Sequence, residues 1–351
     1  MKNLGKFITS CVLMLCAVVL TFFSDRASCY AWDALKVCAV SVIPSLFPYM
    51  VISSLIVSTK SAAVIGNILP VSRLFSLKKK ASAPIILGFL CGFPVGAKAT
   101  VDMYKSGEIS KEEAEVLISV SNNTGPSFVV SVIGASFWKS SLFGWQLYAY
   151  QLFSALIAAL TVNRLIFPFK ANKLTTGSAS LERKSSSFFN AVSDSAGSVI
   201  TVCAFIVFFS VIAGFSLPLI SYISPTLAGI FSSILELTKG TAFSAAVGGA
   251  EGRFLAGLCV GWSGISVFCQ TASFTSPQKL SLKRTFCTKA IQGILCGTMA
   301  AFLSPCSGNT EKLHEIYSEA SVLMPERIPT AIICSVLFMF IIKNIAKRHK
   351  I

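Results

Sequence analysis

The charged residues of this chain fall mostly in the gaps between apolar runs, and most of these runs approach the roughly 20 residues that a helix needs to cross a bilayer. That pattern constrains the fold more than any motif does. Backbone in lipid must satisfy its own hydrogen bonds, so long apolar runs of this kind become helices. Composition agrees, with 54% of residues hydrophobic and 13% charged, about half the usual charged share of a soluble chain. No water-soluble surface can be built from so few charges. The net charge of +15 arises from 30 Lys and Arg against 15 Asp and Glu. These basic residues sit between apolar runs, as positive-inside loops do, which excludes a nucleic-acid-binding reading. The expected fold class is an all-α polytopic membrane protein, and its first partner is the lipid bilayer.

Most of the 12 cysteines, Cys38, Cys91, Cys259 and Cys296 among them, lie inside apolar stretches, where Cys acts as a small hydrophobe. There is no CxxC pair, and His314 and His349 are the only imidazoles. Neither a metal nor a cofactor is expected.

Phe7 to Ser24 is the first apolar segment, behind Lys2 and Lys6. Ala27-Ser28-Cys29 faintly resembles a processing site, but an uncleaved first helix is favoured because the rest of the chain is itself membrane-embedded. Trp32 to Ser58 is interrupted by Pro44 and Pro48, so a kinked or broken helix is expected. Ala83 to Thr100 is split by Gly92-Phe93-Pro94-Val95-Gly96 into halves too short to span, which reads as a re-entrant hairpin. Lys111 to Trp138 begins amphipathic behind a cap at Ser110 and is broken at Asn122-Asn123-Thr124-Gly125-Pro126-Ser127. Phe143 to Phe167 is a clean span, and Lys170 to Ser187 is a solvated linker.

The second half repeats the plan. Phe188 to Phe215 is a span. Pro225 to Ala250 is interrupted at Glu236-Leu237-Thr238-Lys239-Gly240, and Phe254 to Phe274 at Gly261-Trp262-Ser263-Gly264-Ile265-Ser266. Thr285 to Leu303 and Ile328 to Ile345 are the last spans. With both interrupted hairpins re-entrant, eight crossings place both termini in the cytoplasm. The basic loops Arg73 to Lys80, Lys105 to Lys111, Lys170 to Lys184 and Lys279 to Arg284 then share the cytoplasmic side, as the positive-inside bias requires. The halves become inverted copies, an arrangement common in secondary transporters. The expected divisions are 1–31, an N-terminal helix; 32–169, the first repeat; 170–187, a cytoplasmic linker; 188–304, the inverted second repeat; and 305–351, an extracytoplasmic loop, a last helix and a basic cytoplasmic tail.

Ile43-Pro44-Ser45-Leu46-Phe47-Pro48, then Gly92-Phe93-Pro94-Val95-Gly96-Ala97-Lys98, then Ser121-Asn122-Asn123-Thr124-Gly125-Pro126 resemble the YlbJ family of sporulation integral membrane proteins. That family is related to the nucleoside-recognition, or Gate, domain also found in spore maturation proteins and the ferrous iron transporter B. The resemblance covers roughly Trp32 to Ser304. It implies a firmicute cell-membrane protein needed in spore formation, with a transporter-like fold of two Gate-like repeats and no demonstrated substrate.

Four breaks near mid-membrane argue for a central polar site, because unwound backbone is tolerated only where protein buries it or water meets it. Glu236 is the strongest candidate: a carboxylate in an apolar segment costs roughly 2.5–3.5 kcal/mol on insertion scales. It could bind a solute or couple an ion or proton; the plainer reading is an ion pair with Lys239 or Lys98. Lys98 could equally be a lysine snorkelling to the cytoplasmic surface. Thr238, Asn122, Asn123, Thr124 and Ser127, with Ser263, Ser266 and Gln270 from the other half, offer hydroxyl and amide groups for a polar solute. Such groups also join helices, contributing about 0.6 kcal/mol each. Asp194 reads as an interfacial acid, Glu112, Glu113 and Glu115 as a solvated face, and Trp138, Trp145 and Tyr148 as an aromatic belt.

No Walker loop, HExxH or GxSxG occurs, and no intramembrane His could serve a nucleophile, so no enzyme is expected. The expected function is secondary transport of a small polar solute, nucleoside-like or another metabolite, with or without a coupling ion. The alternative is a non-transporting scaffold for spore envelope or cortex assembly. Further copies of the chain or other sporulation membrane proteins are the protein partners considered. Two further expectations concern the outer face: a disulfide between Cys29 and Cys306, and a partner contact by the acidic loop Glu311 to Glu326.

Overall fold

The structure, a computed structural model, describes residues 2–59, 61–169 and 188–304. The Lys170 to Ser187 linker, Cys306, the acidic loop and the Ile328 to Ile345 span lie outside them. Among the described residues every regular element is helical. Four helices are long and apolar enough to cross a membrane, or up to six if each of two bent pairs is one span.

At the N-terminus, α1 (Lys2–Phe22) and α2 (Ser24–Val37) meet at a bend of 89°. The residues between the first two expected spans are therefore helical rather than a loop. Tertiary packing accounts for this: α2 lies against α9 (Phe188–Ile223), with Tyr30 edge-on to Phe215 at 5.5 Å and its ring over Gly214. From α2 the chain passes through a π-helical turn, Cys38–Val42, into α3 (Ile43–Ser58), whose first turn holds Pro44. Widening the helix just before Pro44 eases the clash between the proline ring and the carbonyl one turn back. The expected kink thus takes the form of a π turn. A second bend, of 92°, separates α3 from α4 (Ser61–Ile68).

The basic loops meet at one end of the bundle. Lys80 pairs with Glu108 at 2.8 Å, joining the loop after α4 to the one between α6 (Val95–Lys105) and α7 (Lys111–Ser121). Arg284 pairs with Glu112 at 3.1 Å and donates to the Phe167 carbonyl, and the Glu115 carboxylate accepts from the Ser281 amide. These glutamates therefore tie loops together rather than form a purely solvated face. At the opposite end Trp138 lies against Gly252, while buried Arg253 donates to the Ala301 carbonyl.

Two pairs of short helices depart from simple crossing. α5 (Ser82–Cys91) and α6 pack on each other, and each is about 15 Å long, half the thickness of the hydrocarbon core. Both outer ends of this hairpin lie at the basic end. Its counterpart is α10 (Pro225–Leu235) with α11 (Leu237–Val247), and α11 leads directly into α12 (Gly249–Trp262), whose start lies by Trp138 at the opposite end. The long helices turn apolar surface outward: Phe302 is 85%, Phe189 79% and Leu165 76% exposed, a surface suited to lipid.

Among the described helices, α12 and α14 (Lys283–Leu303) share the most extensive contact. Gly257 and Gly261 on one helix face Gly293 and Gly297 on the other, four residues apart in each. A Cβ at Gly257 would lie 2.5 Å from the Cys296 carbonyl oxygen, and one at Gly261 2.7 Å from that of Gln292. Small residues at this spacing let two backbones touch, and van der Waals contact is what holds helices together in lipid. Gly261→Leu must push the backbones apart. It should cost about 1–3 kcal/mol, read as an earlier thermal unfolding of the detergent-purified protein, whereas substitution of the exposed Ile294 on the same helix leaves the transition in place.

Candidate functional site

Each half of the molecule carries a helix broken where a hairpin tip reaches it. In the first half α7 opens on a capping box, the Ser110 hydroxyl accepting from the Glu113 amide and the Glu113 carboxylate from the Ser110 amide. It ends at Ser121. Asn122 to Gly125 are unwound, and a π-helical segment, Ser127–Phe137, continues from there. The α5–α6 turn fits against this gap without room for side chains: a Cβ at Gly92 would lie 2.6 Å from the Gly125 nitrogen. Gly92 also has a φ of +83°, so both its position and its conformation require glycine.

In the second half α12 ends at Trp262, Ser263 adopts a left-handed conformation, and Gly264 at φ +85° leads into α13 (Ile265–Thr275). Here Gly264 faces the α10–α11 turn, where a Cβ would lie 3.2 Å from the Glu236 Cα. Glu236 itself caps α11. Its two carboxylate oxygens accept from the Thr238 amide at 3.0 Å and the Lys239 amide at 2.9 Å. A carboxylate at a helix N-terminus satisfies donors that the helix leaves orphaned and meets the positive end of its dipole. Orphaned carbonyls at the ends of α5 and α10 are met as well, by Tyr148 Oη on Phe89 at 2.8 Å and Trp262 Nε1 on Ile234 at 3.1 Å. Tyr148 is thus a buried structural donor and not part of an interfacial belt, because its hydroxyl is needed at a helix end; Trp145 is exposed.

The two halves join through polar groups at the first break. Asn123 Nδ2 donates to the Val120 carbonyl at 2.6 Å, which turns its Oδ1 toward α14. That oxygen accepts from Lys289 Nζ at 2.9 Å and from Gln292 Nε2 at 3.0 Å. Lys289 also donates to Gln292 Oε1 at 2.8 Å, and it is only 1% exposed. Gln151 Nε2 on α8 (Ser141–Thr161) donates to the Thr124 carbonyl at 2.7 Å, and Gln292 Nε2 reaches the Gln151 carbonyl at 3.4 Å. Asn122 Nδ2 donates to Thr271 Oγ1 on α13 at 3.0 Å. Thr124 and Ser263 both donate to the Val260 carbonyl, at 3.5 and 3.3 Å.

Of the residues singled out in the sequence, Asn123, Thr124 and Ser263 therefore share one buried network, and Asn122, next to Asn123, bonds Thr271 on α13 instead. Gln270 donates to Ser266 at 3.3 Å, both buried on α13 beside it. Glu236 reaches the second break through backbone contact, and Thr238 contributes its amide to the cap. Ser127 is exposed, at the start of the π-helical segment, and stands apart from the network. Lys98 pairs with Asp102 at 2.9 Å, one turn along α6 on the same face, and not with Glu236. Among the described residues no carboxylate–ammonium pair forms at Glu236, whose oxygens are taken by the cap. Asp194 is exposed, and among the described residues no group of His, Cys, Asp and Glu could hold a metal ion.

Lys289, Gln292 and Gln151 were not singled out in the sequence. Their signal was periodicity: Thr285, Thr288, Lys289, Gln292 and Cys296 fall on one face of α14, and all are buried or half-buried there, while Phe286, Ile294 and Phe302 point outward. A polar stripe turned inward and an apolar face turned to lipid is the reverse of a soluble helix.

Helices of this kind, packed around a polar centre, define an integral membrane protein. The chain is similar to the sporulation integral membrane protein YlbJ of Bacillus subtilis (strain 168), with 25% identity over 305 residues, covering 75% of this chain and 74% of that protein. This likeness supports the resemblance carried by the Pro44, Gly92 and Asn122 motifs. No family model matches the chain, and no solved structure matches it significantly.

If Asn123 Oδ1 orders the network, Asn123→Leu leaves Lys289 and Gln292 donors unpaired in the interior and should cost about 1–3 kcal/mol. Asn123→Asp supplies a carboxylate to Lys289 but gives up the donor to the Val120 carbonyl, so the difference between the two variants should favour Asn123→Asp. Thermal unfolding of the two variants side by side checks the sign.

Proposed function

We propose that this chain is a sporulation-associated membrane protein that moves a small polar solute across the bacterial cell membrane by alternating access. The observation that carries this reading is the buried polar network at a helix break, Asn123–Lys289–Gln292, formed where the two halves meet. In lipid, unwound backbone and a buried cluster of amides are costly. Scaffolding alone gives no reason to keep them at the interface of two similar units.

The two units are read as inverted repeats. Each contains a hairpin, a broken helix and a long helix in the same order. The first hairpin has its outer ends beside the basic loops, and the second leads into α12 at the opposite end. The close contacts correspond too: Gly92 meets Gly125 in one unit, and the Glu236 turn meets Gly264 in the other. Secondary transporters place their sites at such interfaces, with half-helix termini directed at the solute. Eight crossings with both termini in the cytoplasm fit the gathering of the Arg73 to Lys80, Lys105 to Lys111 and Lys279 to Arg284 loops at one end. The relation to nucleoside-recognition Gate domains belongs to this same reading, as does sporulation, which is taken from the name of the Bacillus relative. Glu236, at the tip of the second hairpin, is the group proposed to couple an ion or proton to the solute.

A null strain complemented with variants tests the proposal. A transporter should lose sporulation with Asn123→Leu or Glu236→Gln at normal protein levels and tolerate alterations of the Lys170 to Ser187 linker. A scaffold should show the reverse. Full rescue by Glu236→Gln would remove the coupling role from that residue, since glutamine keeps one of the two cap acceptors and loses the other together with the charge and the titratable proton.

A further inference from the structure

Lys289 is buried in the second turn of α14, and its two hydrogen-bond partners are neutral amide oxygens, Asn123 Oδ1 and Gln292 Oε1. The inner carboxylates are committed elsewhere. Glu236 accepts from the α11 backbone, and Asp102 pairs with Lys98. On the elements that meet at Lys289, several buried polar atoms have no partner among the described residues: Thr285 Oγ1 and Thr288 Oγ1 on α14 itself, Gln151 Oε1 on α8, and Asn122 Oδ1 next to Asn123 in the chain. Buried threonines on the neighbouring α13 behave otherwise, Thr271 and Thr275 bonding the carbonyl one turn back. Polar groups left unspent in a membrane interior, beside an ammonium with no counter-charge, are costly unless something else completes them.

We propose that Lys289 and these four residues form a binding site for a small organic monoanion that carries hydrogen-bond donors, of the hydroxy-carboxylate type. The proposal rests on the reading of this region as a solute site and narrows its chemistry. One ammonium balances one negative charge. The amide oxygens of Asn122 and Gln151 are acceptors, so they call for donors on the solute. The threonine hydroxyls can give or receive. A neutral nucleoside would leave the ammonium uncompensated, and a cation would be repelled by it. The solute's anionic group meets Lys289 Nζ, while its hydroxyl groups face Asn122 and Gln151.

The test is thermal unfolding of the full-length detergent-purified protein with three probes: D-glycerate as a hydroxy monoanion, uridine as a neutral polyol and choline as a cation. Saturating glycerate should raise the midpoint by about 2 °C or more, as a ligand far above its dissociation constant does, and uridine and choline should leave it unchanged. Lys289→Met, which removes the charge at similar volume, should abolish the glycerate shift and raise the midpoint of the ligand-free protein. Lys289→Gln, which keeps a hydrogen-bonding group, should abolish the shift too and guards against a folding defect in the methionine variant. The absence of a glycerate shift, its survival in Lys289→Gln, or a response to uridine or choline instead would overturn the proposal. Proteoliposome flux separates this from the wider reading. Flux of uridine without glycerate binding sinks the anion site and leaves transport standing; glycerate binding lost in both variants, without flux, upholds the site and sinks transport.

Discussion

Backbone that leaves a helix inside a bilayer has no water to turn to, and each half of this molecule depends on how that is resolved. At Asn122 to Gly125 the solution is contact with the α5–α6 turn, backbone against backbone at Gly92 and Gly125, and with side chains that take up the freed groups. Gln151 occupies the Thr124 carbonyl and Asn123 the Val120 carbonyl. At Ser263 and Gly264 the partner is the α10–α11 turn, with Trp262 and Glu236 closing the helix ends on either side. Neither hairpin has a reason to stop halfway through the bundle unless a broken helix meets its tip. Neither broken helix is tolerable unless a hairpin covers it.

Much of this was legible in the sequence because the relevant residues are unusual in apolar runs. Gly92-Phe93-Pro94 cannot continue a helix, Asn122 to Pro126 cannot either, and Glu236 is a carboxylate inside an apolar segment. The cap at Ser110 was readable from the sequence, and the structure makes it a capping box with Glu113. The helical path through Asp25 and Tyr30 was not, because a polar stretch gives no local sign that Tyr30 will stack on Gly214 and Phe215 some 180 residues later. Nor was the service Tyr148 performs, since an aromatic at a helix start reads the same whether it faces an interface or an orphaned carbonyl.

Lys289 is the instructive omission. A lysine six residues into a helix that begins Lys283-Arg284 merges with the basic end of the span when residues are counted along the chain. Counted around the helix it does not. It shares its face with Thr285, Gln292 and Cys296, while Arg284 reaches back to Glu112 and Phe167 at the basic end. Glu236 drew attention as a charge in an apolar segment, yet its oxygens are largely spent on the α11 backbone. The better-hidden charge is the one whose partners are neutral.

The two faces of α14 are held by different physics. Against α12 it is locked by four glycines, an interface with no room for a shift of even a methyl group. Against α7 and α8 it is held at its centre by hydrogen bonds among Lys289, Gln292, Asn123 and the Gln151 backbone, groups that can exchange one partner for another at little cost so long as each finds one. α12 and α14 are therefore packed backbone to backbone, and α7 with α8 meets them through exchangeable polar contacts. A solute that completes the unspent groups of Asn122, Gln151 and Thr288 would sit on this seam, where rearrangement costs least. On the transport proposal, the polar seam and not the glycine contact is the one expected to open, because its hydrogen bonds can be exchanged whereas the glycine contact leaves no slack.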